Sequence, residues 1–439
     1  MKAESEIKVR VAQWSGGEKS DEIVRFCRRP AVDPAAEVVA REILNEIRTR
    51  GDEAVLECIE KYDGVRLAPD QLLVPKPEIN AARESVDVEF INAAREAHKR
   101  ITSFARAGLR KDWTLASPRG GMLGEQYAPL ERVGVYIPGG LAPLVSTALM
   151  TVTLARVAGV PDVVACTPCG PDGKINPYLL FGLELAGASE IYKLGGIQAI
   201  GAMAYGTATI KKVEKIVGPG GTFVTAAKRL VYGDVALDML AGPSEIAVLA
   251  DDTAFAENVA ADMLSQAEHG TGHEKTLLAT TSSNLATAVQ LELVKQAESI
   301  AHRAGVARVL NEGTMIVVVG TLDAGMELCN DFAPEHLELM VREPRNWLKK
   351  VKNAGAVFVG EWTPECAGDY VAGPSHVLPT GGTARMFSGL TADDFRKRTS
   401  VAAFTRADLK DVLPVIEAFG RVEGLGAHAR SARIRFSHS

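Results

Sequence analysis

The chain has 439 residues, more than the roughly 250–300 at which a single hydrophobic core usually divides, so at least two domains are expected. Its formal net charge of −6 argues against the broadly basic surface on which nucleic-acid binding depends. The charged N-terminus lacks the apolar stretch of a signal peptide, and no long apolar run predicts a transmembrane helix. The composition therefore predicts a cytoplasmic protein with no nucleic-acid or membrane partner.

The six cysteines are scattered, which is typical of free thiols in a reducing compartment. Cys166 and Cys169 form a C-x-x-C pair, but no second pair completes a zinc knuckle. The pair also closes an apolar run instead of opening a helix, unlike a redox motif. We therefore expect no redox or metal role for it.

The first hundred or so residues are predicted to be helical. Asp33 and Pro34 supply an N-cap and a first-turn proline before residues 35–50, where apolar residues recur at helical spacing. Gly51 ends this pattern, and a shorter helix is predicted to reach about Tyr62. A long amphipathic helix is predicted at about residues 88–107, and the region is interpreted as a scaffold or subunit-packing arm.

From about Glu131 the pattern changes to short apolar runs that end in glycine or proline and lead into helical segments. This alternation is typical of a parallel sheet wound with helices. The first set of predicted strands covers residues 133–137, 162–167, 190–194 and 215–217. The second set covers residues 246–250, 276–281, 315–320, 337–341 and 356–360. The two sets predict an α/β fold with two Rossmann-like units and parallel sheets.

This organisation divides the chain into four predicted segments. No low-complexity or proline-rich linker separates the two Rossmann-like units, so they are expected to pack closely. The last segment is predicted to be a small helical unit with its clearest helix at residues 411–419. In chain order the segments are an N-terminal helical scaffold (1–115), the first Rossmann-like domain (116–242), the second (243–386) and the C-terminal unit (387–439).

Gln266 and His269 are candidate metal ligands in a chain with only eight histidines. They lie three residues apart near the end of a helix predicted to start near Phe255, so both side chains share one helix face. Imidazole suits zinc, and an amide oxygen can complete its ligand set. Histidine is also favoured near a helix C-terminus for reasons other than metal binding, so the local pattern leaves both interpretations open.

Glu335 and His336 are candidate proton acceptors at the start of a predicted strand, beside the fixed backbone of Pro334. Adjacent side chains point in different directions, so an acid and an imidazole can serve two proton transfers in one site. Imidazole is the usual general base near neutral pH, and a shielded carboxyl group can be tuned to join it. A capping glutamate beside a surface histidine explains the same residues equally well.

Further carboxylates and histidines lie towards the C-terminus. Asp369 follows a glycine in a predicted loop, and His376 stands in a rigid setting between two prolines. Glu423 and His428 place a second acid and imidazole five residues apart. One amide, two imidazoles and one carboxylate are compatible with a zinc site formed by Gln266, His269, Asp369 and His428, although spacing does not prove that they meet.

Three glycine-rich loops follow predicted strands, at residues 138–140, 195–196 and 218–221. The dinucleotide fingerprint G-x-G-x-x-G is absent. Glycine loops at helix N-termini suit phosphate groups, but they are as often plain tight turns.

Taken in order, these motifs resemble the histidinol dehydrogenase family. The resemblance runs from about residue 130 to residue 430, and several unusual strings in order are more specific than any one of them. They are YIPGG (136–140), GGIQ (195–198), GPG (218–220), AGPSE (241–245), SQAEH (265–269), APEH (333–336), GDY (368–370), HVLPT (376–380) and the pair Glu423 and His428.

The resemblance implies the last two steps of histidine biosynthesis, L-histidinol to L-histidinal to L-histidine, with two NAD reduced. It implies a domain-swapped homodimer with zinc ligands Gln266, His269, Asp369 and the partner subunit's His428. It implies that His336 takes the alcohol proton and that Glu335 activates the water which attacks the aldehyde. The implied NAD contacts are Tyr136 and Gln198, and the implied substrate pocket consists of Ser244, Gln266, His269, His336, Asp369, Tyr370, His376, Glu423 and His428.

Zinc in this family is implied to hold the amino and imidazole nitrogens of the substrate, which orients it. Glu423 would recognise the cationic amine. One position departs from the family pattern: Gly221 stands where the family usually has an asparagine that contacts NAD. Either a backbone amide replaces that contact or the affinity for the cofactor is weaker.

Two alternative functions make different predictions about these residues. A paralogue of the same fold could oxidise another small polar alcohol, such as a sulfopropanediol. Glu423 argues against it, because a carboxylate repels an anionic substrate. A catalytically inactive binding or assembly protein is expected to have lost part of the metal set or the Glu335–His336 pair, and all of these residues are present.

Overall fold

The structure is a computed structural model that describes residues 7–29, 33–139, 142–239, 242–269, 272–300 and 303–437. Within these ranges, no helix combines the length and the apolar character needed to cross a membrane. Contacts divide the chain into two units: Met1–Gly108 with Leu130–Phe395, and Leu109–Pro129 with Arg396–Ser439.

The N-terminal segment is largely helical, as predicted, but it begins with a strand that was not predicted. The side chain of Asp33 accepts a hydrogen bond from the Ala35 backbone N, and Gly51 ends the helix with a φ of 58°. The elements are β1 (Arg10–Trp14), α1 (Asp21–Cys27), α2 (Pro34–Arg50), α3 (Asp52–Cys58), α4 (Lys76–Ser85) and α5 (Val88–Gly108), with a π-helical turn at Ile59–Asp63 and a 3-10 turn at Pro69–Gln71.

The next two strands, β2 (Trp113–Ala116) and β3 (Met122–Pro129), belong to the second unit. The chain then returns to the first unit and forms a parallel sheet that confirms the four predicted strands. Its elements are β4 (Arg132–Tyr136), α6 (Val145–Ala158), β5 (Asp162–Thr167), α7 (Pro177–Ala186), β6 (Glu190–Lys193), α8 (Gly196–Tyr205), β7 (Lys215–Val217), α9 (Thr222–Val231) and β8 (Ala236–Leu237).

The strand order in the first sheet is β6-β5-β4-β7-β8, which is the Rossmann order for five strands. The direction of winding reverses between β4 and β7. Open sheets of this kind bind ligands at the carboxyl ends of the strands on either side of such a reversal. The loops at residues 138–139 and 218–221 follow these two strands.

A second parallel sheet confirms the other five predicted strands and has the order β1-β11-β10-β9-β12-β13. The unpredicted strand β1 extends its edge beside β11. The elements are β9 (Glu245–Ala250), α10 (Ala256–Ala267), β10 (Lys275–Thr280), α11 (Ser283–Ala297), α12 (Arg303–Arg308), β11 (Thr314–Val319), α13 (Leu322–Phe332), β12 (His336–Met340), α14 (Pro344–Trp347), β13 (Ala356–Val359) and α15 (Glu365–Tyr370).

Separate hydrophobic cores support the two sheets. The core of the first sheet includes Leu44 and Ile47 of α2, and one core of the second sheet includes Trp14 of β1 and Phe26 of α1. The N-terminal segment therefore packs on both sheets, as a scaffold does. Burial of each large aliphatic side chain contributes roughly 1.5–3 kcal/mol.

The second unit contains an antiparallel sheet in the order β14-β3-β2, followed by two helices. The C-terminal segment was expected to be helical, and the predicted helix at residues 411–419 lies within a longer one. The strand at the start of the C-terminal segment, Arg396–Ala403, was not predicted, because its side chains are mostly exposed and do not alternate in polarity. The elements are β14 (Arg396–Ala403), α16 (Arg406–Val422) and α17 (Gly426–Arg433).

Candidate active site

Glu335 and His336 lie at the amino edge of the second sheet, where α13 passes into β12. Among the described residues, Ala333 is the non-glycine position with a positive φ, 48°, and it turns the chain directly after α13. Pro334 follows, and His336 is the first residue of β12. Glu335 is 6% exposed and His336 is 3% exposed, so the alternative of a surface histidine beside a capping glutamate is wrong.

One oxygen of the Glu335 carboxyl group is fixed by a backbone hydrogen bond. Its Oε2 atom accepts a hydrogen bond from the backbone N of Glu245, the first residue of β9, at 3.0 Å. Burial, reinforced by the charge of Asp369, raises the pKa of Glu335 well above its usual value. A carboxyl group tuned upward in this way suits proton transfer near neutral pH.

The imidazole of His336 is held by different partners. Its Nδ1 atom lies 3.1 Å from Oε1 of Gln266 and 3.8 Å from Oε2 of Glu335. Its Nε2 atom lies 3.9 Å from Oε1 of Glu365. Burial lowers the pKa of His336 to about 4, so the ring is neutral at pH 7 and can accept a proton.

The imidazole of His336 belongs to a group of possible metal ligands. Potential ligand atoms of His336, Glu365 and Asp369 all lie within 4.8 Å of one another. Of the four predicted ligands, Asp369 belongs to this group. Gln266 contacts it through His336, and the Gln266 Nε2 atom is buried without a hydrogen-bond partner among the described residues.

His269 lies beside the same group. Its Nδ1 atom is 3.2 Å from the backbone O of Ser265 and 3.2 Å from that of Gln266, which leaves Nε2 available to a ligand. Burial raises the pKa of Asp369, and an electrostatic interaction with His269 opposes this shift. Imidazole, carboxylate and amide donors therefore converge here, and this donor set fits zinc.

Further buried carboxyl groups lie around the metal-ligand candidates, and Glu365 belongs to both sets. Glu365 is one helical turn before Asp369, and Asp262 is one turn before Gln266. The Glu365 Oε2 accepts a hydrogen bond from Ser265 Oγ at 2.6 Å, and the Glu365 backbone N donates to Glu338 at 2.9 Å. The prediction of a loop at Asp369 is wrong, because Glu365–Tyr370 form the helix α15. Glu365 was therefore missed, although the helix brings it to the same face as Asp369.

His376 connects this site with the first sheet. Its Nδ1 atom lies 3.6 Å from Oδ1 of Asp369, and its Nε2 atom lies 3.1 Å from Oγ1 of Thr147 in α6. Burial lowers the pKa of His376 to about 4. Thr147 was not predicted, because nothing in its local sequence distinguishes it from other helical threonines.

The remaining predicted substrate contacts lie in different settings. Ser244 is partly buried directly before Glu245, and Tyr370 follows Asp369 with 59% of its surface exposed. Glu423 and His428 are exposed residues of the second unit, at the end of α16 and in α17.

The two predicted NAD contacts are buried at the first sheet. The Tyr136 hydroxyl accepts a hydrogen bond from the Gly196 backbone N at 3.2 Å. The Gln198 Nε2 atom donates to Oδ2 of Asp63 at 3.4 Å. Gly221 is the N-cap of α9, and a Cβ atom built there would meet nothing within 4 Å. The two side chains therefore support the loops at the carboxyl edge of this sheet.

Two Rossmann-ordered sheets and a buried acid–imidazole cluster with metal-type donors define an α/β enzyme built for proton transfer. The family model for histidinol dehydrogenase matches residues 28–436. Histidinol dehydrogenase of Heliobacterium mobile is 46% identical over 411 residues, covering 93% of this chain and 96% of the relative. That of Moorella thermoacetica is 46% identical over 423 residues, covering 96% and 97%.

A crystal structure of histidinol dehydrogenase from Elizabethkingia anophelis superposes with a TM-score of 0.92 at 35% identity, covering 98% of each chain. The chain therefore belongs to the histidinol dehydrogenase family, which consists of NAD-dependent oxidoreductases of histidine biosynthesis. The resemblance found in the sequence motifs is confirmed.

Proposed function

We propose that this protein oxidises L-histidinol to L-histidine through L-histidinal in two NAD-linked steps, in the cytoplasm, as a zinc-dependent homodimer. One observation carries the proposal: two buried proton acceptors stand side by side, and each has a hydrogen-bond partner of its own. Glu335 is held by the Glu245 backbone N, and His336 is held by Gln266. Two successive oxidations of one substrate require two different proton transfers, which this pair can supply.

In the first oxidation, neutral His336 accepts the hydroxyl proton of the alcohol. Its burial keeps the ring unprotonated at neutral pH, and the contact with Gln266 fixes the ring plane. NAD, when bound, accepts the hydride in each oxidation.

In the second oxidation, Glu335 accepts a proton from the water that adds to the aldehyde carbon. One carboxyl oxygen is fixed by the Glu245 backbone N, and the other is the one proposed to face that water. The deprotonated hydrate then gives its hydride to NAD, and the resulting carboxylic acid loses its remaining proton to solvent to become the carboxylate of the product.

The donor set supports zinc at Gln266, His269, Asp369 and the partner subunit's His428. The buried Gln266 amide, the His269 Nε2 atom, which has no hydrogen-bond partner among the described residues, and the clustered carboxylates are the observations in its favour. Zinc, when bound, orients the substrate through its amino and imidazole nitrogens.

Ser244, Tyr370 and His376 are proposed to complete the substrate pocket, with Glu423 recognising the substrate amine. A carboxylate at that position disfavours a sulfopropanediol, which is the alternative substrate for this fold. The division of the chain into a scaffold, a domain that contacts NAD, a zinc-binding domain and a C-terminal unit serving the partner's site belongs to the same proposal.

NAD is proposed to bind at the carboxyl edge of the first sheet, with Tyr136 and Gln198 as contacts. The reversal of winding between β4 and β7 and the glycine loops at that edge support this location. The contact between His376 and Thr147 supports a substrate bound between the two sheets.

The function is tested by measuring NADH formation with L-histidinol and with propanediol sulfonates. Two NADH per histidinol are expected, with loss of activity after chelation and recovery with zinc. Metal-replete protein that does not oxidise histidinol would refute the proposal.

Subunit sharing is tested separately with His336→Asn and His428→Asn. Each variant alone should be inactive, and a mixture that exchanges subunits should regain activity because one site in the mixed dimer is intact. No recovery in a mixture shown to have exchanged subunits would contradict a shared site.

A further inference from the structure

Arg29 lies two residues after α1, and its side chain is 6% exposed. Its Nε atom lies 2.5 Å from Oε1 of Glu245, and its Nη2 atom lies 3.0 Å from Oε2. The planar guanidinium therefore makes a two-point contact with a carboxylate that is itself buried. Arginine forms such contacts through a rigid fork that lysine lacks.

The same guanidinium also contacts the end of α13. Its Nη2 atom donates to the Phe332 backbone O at 2.6 Å, and its central carbon lies 3.7 Å from the centroid of the Phe332 ring. The Phe332 ring stacks in turn on Phe26 of α1, with centroids 5.7 Å apart. Arg29 thus joins the start of β9 to the end of α13.

Both of these elements hold Glu335. The Glu245 backbone N donates to the Glu335 carboxyl group, and Phe332 ends the helix three residues before Glu335. A shift of either element changes the direction in which the free oxygen of Glu335 points. His336 has a further partner that Glu335 lacks, the side chain of Gln266 in α10, besides a smaller contribution from the Glu245 backbone.

We propose that Arg29 is a positioning residue for Glu335, acting through Glu245 and Phe332, and that it supports the second oxidation rather than the first. The inference rests on the proposed function, in which Glu335 activates water and His336 takes the alcohol proton. It gives a role in the reaction to the N-terminal segment, which was expected from the sequence to be a scaffold or packing arm.

The test compares Arg29→Lys with Arg28→Lys, a matched control at an exposed neighbouring arginine. The first oxidation is followed as pre-steady-state formation of the first NADH from L-histidinol. The second is followed as steady-state oxidation of added L-histidinal. Because a misplacement of about 1 Å can cost on the order of 10²-fold in rate, Arg29→Lys should lower kcat for histidinal by up to this factor.

The first oxidation and KM for NAD should stay close to wild type in Arg29→Lys, and Arg28→Lys should match wild type in every assay. Equal losses in both oxidations, or no loss, would overturn the proposal, because a purely structural role does not distinguish the steps. If Arg29→Lys does not fold, Glu245→Gln answers the same question: a selective loss supports the proposal, and an equal or absent loss overturns it. A wild-type enzyme that oxidised neither substrate would instead refute the proposed function.

Discussion

Replacing Gly368 by alanine tests whether the close approach of α15 to β13 positions Asp369. Gly368 lies on α15 directly before Asp369, and a Cβ built on it would be 2.6 Å from Cζ and 2.7 Å from Cε1 of Phe358. Cζ lies on the axis about which the ring rotates, so a ring flip does not relieve the first contact. Ordinary contacts begin at 3.4 Å, so ring and helix must separate by on the order of 1 Å.

Neither the Phe358 ring nor helix α15 can move without disturbing the site. The Phe358 ring is buried, and its centroid lies 5.8 Å from that of His336. The helix carries both Glu365 and Asp369. Overpacking of this kind costs about 1–3 kcal/mol in stability. A displacement of about 1 Å at a reacting group is expected to lower kcat/KM for histidinol by on the order of 10²-fold.

The assay is steady-state NADH formation, with zinc content measured on the same samples. Gly108→Ala is the matched control, because Gly108 is helical and a Cβ there meets nothing within 4 Å. It should behave as wild type. A Gly368→Ala enzyme with unchanged kcat/KM and full zinc content would refute the reasoning.

Three further variants test other parts of the structure. Gly221→Asn should lower the Kd for NAD, measured by calorimetry. Gly221 has a φ of −66° and open surroundings, so the N-cap of α9 accepts a side chain there. An unchanged Kd would contradict this prediction. Lys228→Met should destabilise the protein by about 3–5 kcal/mol in chemical denaturation, because it leaves the buried Asp238 carboxylate without its cation. A hydrogen bond from Ser117 holds the pKa of Asp408 well below its usual value, so the carboxylate stabilises the fold above about pH 4 and ceases to do so as the pH falls. Asp408→Asn should therefore lower Tm at pH 7 but not in strong acid, and a deficit that persisted in acid would count against this account.

The two parallel sheets could be predicted from the sequence because their strands are buried on both faces. Such strands form continuous apolar runs, and the predicted strand at residues 162–167 coincides with β5. β1 could not be predicted in the same way. Its partly buried residues alternate with exposed ones, and its partner β11 lies some 300 residues away, so no local pattern indicates the pairing.

The residues of the candidate site could likewise be predicted only in part from the sequence. Glu335 and His336 were open to two interpretations locally, and the ordered series of motifs decided between them. Thr147 was missed because its role depends on the packing of α6 against His376. Arg29 was missed because its partners, Glu245 and Phe332, are more than 200 residues distant in sequence.

The helix ends at the two sheets also carry partial charges of opposite sign. At the carboxyl edge of the first sheet, α6, α8 and α9 begin, and a helix N-terminus carries a partial positive charge that suits the phosphates of a dinucleotide. At the amino edge of the second sheet, α10 and α13 end beside His269 and Glu335, and a helix C-terminus carries a partial negative charge that suits a cation. The direction of the chain through the two sheets therefore places helix ends of opposite partial charge at these two edges, in agreement with the proposed positions of the dinucleotide and the metal ion.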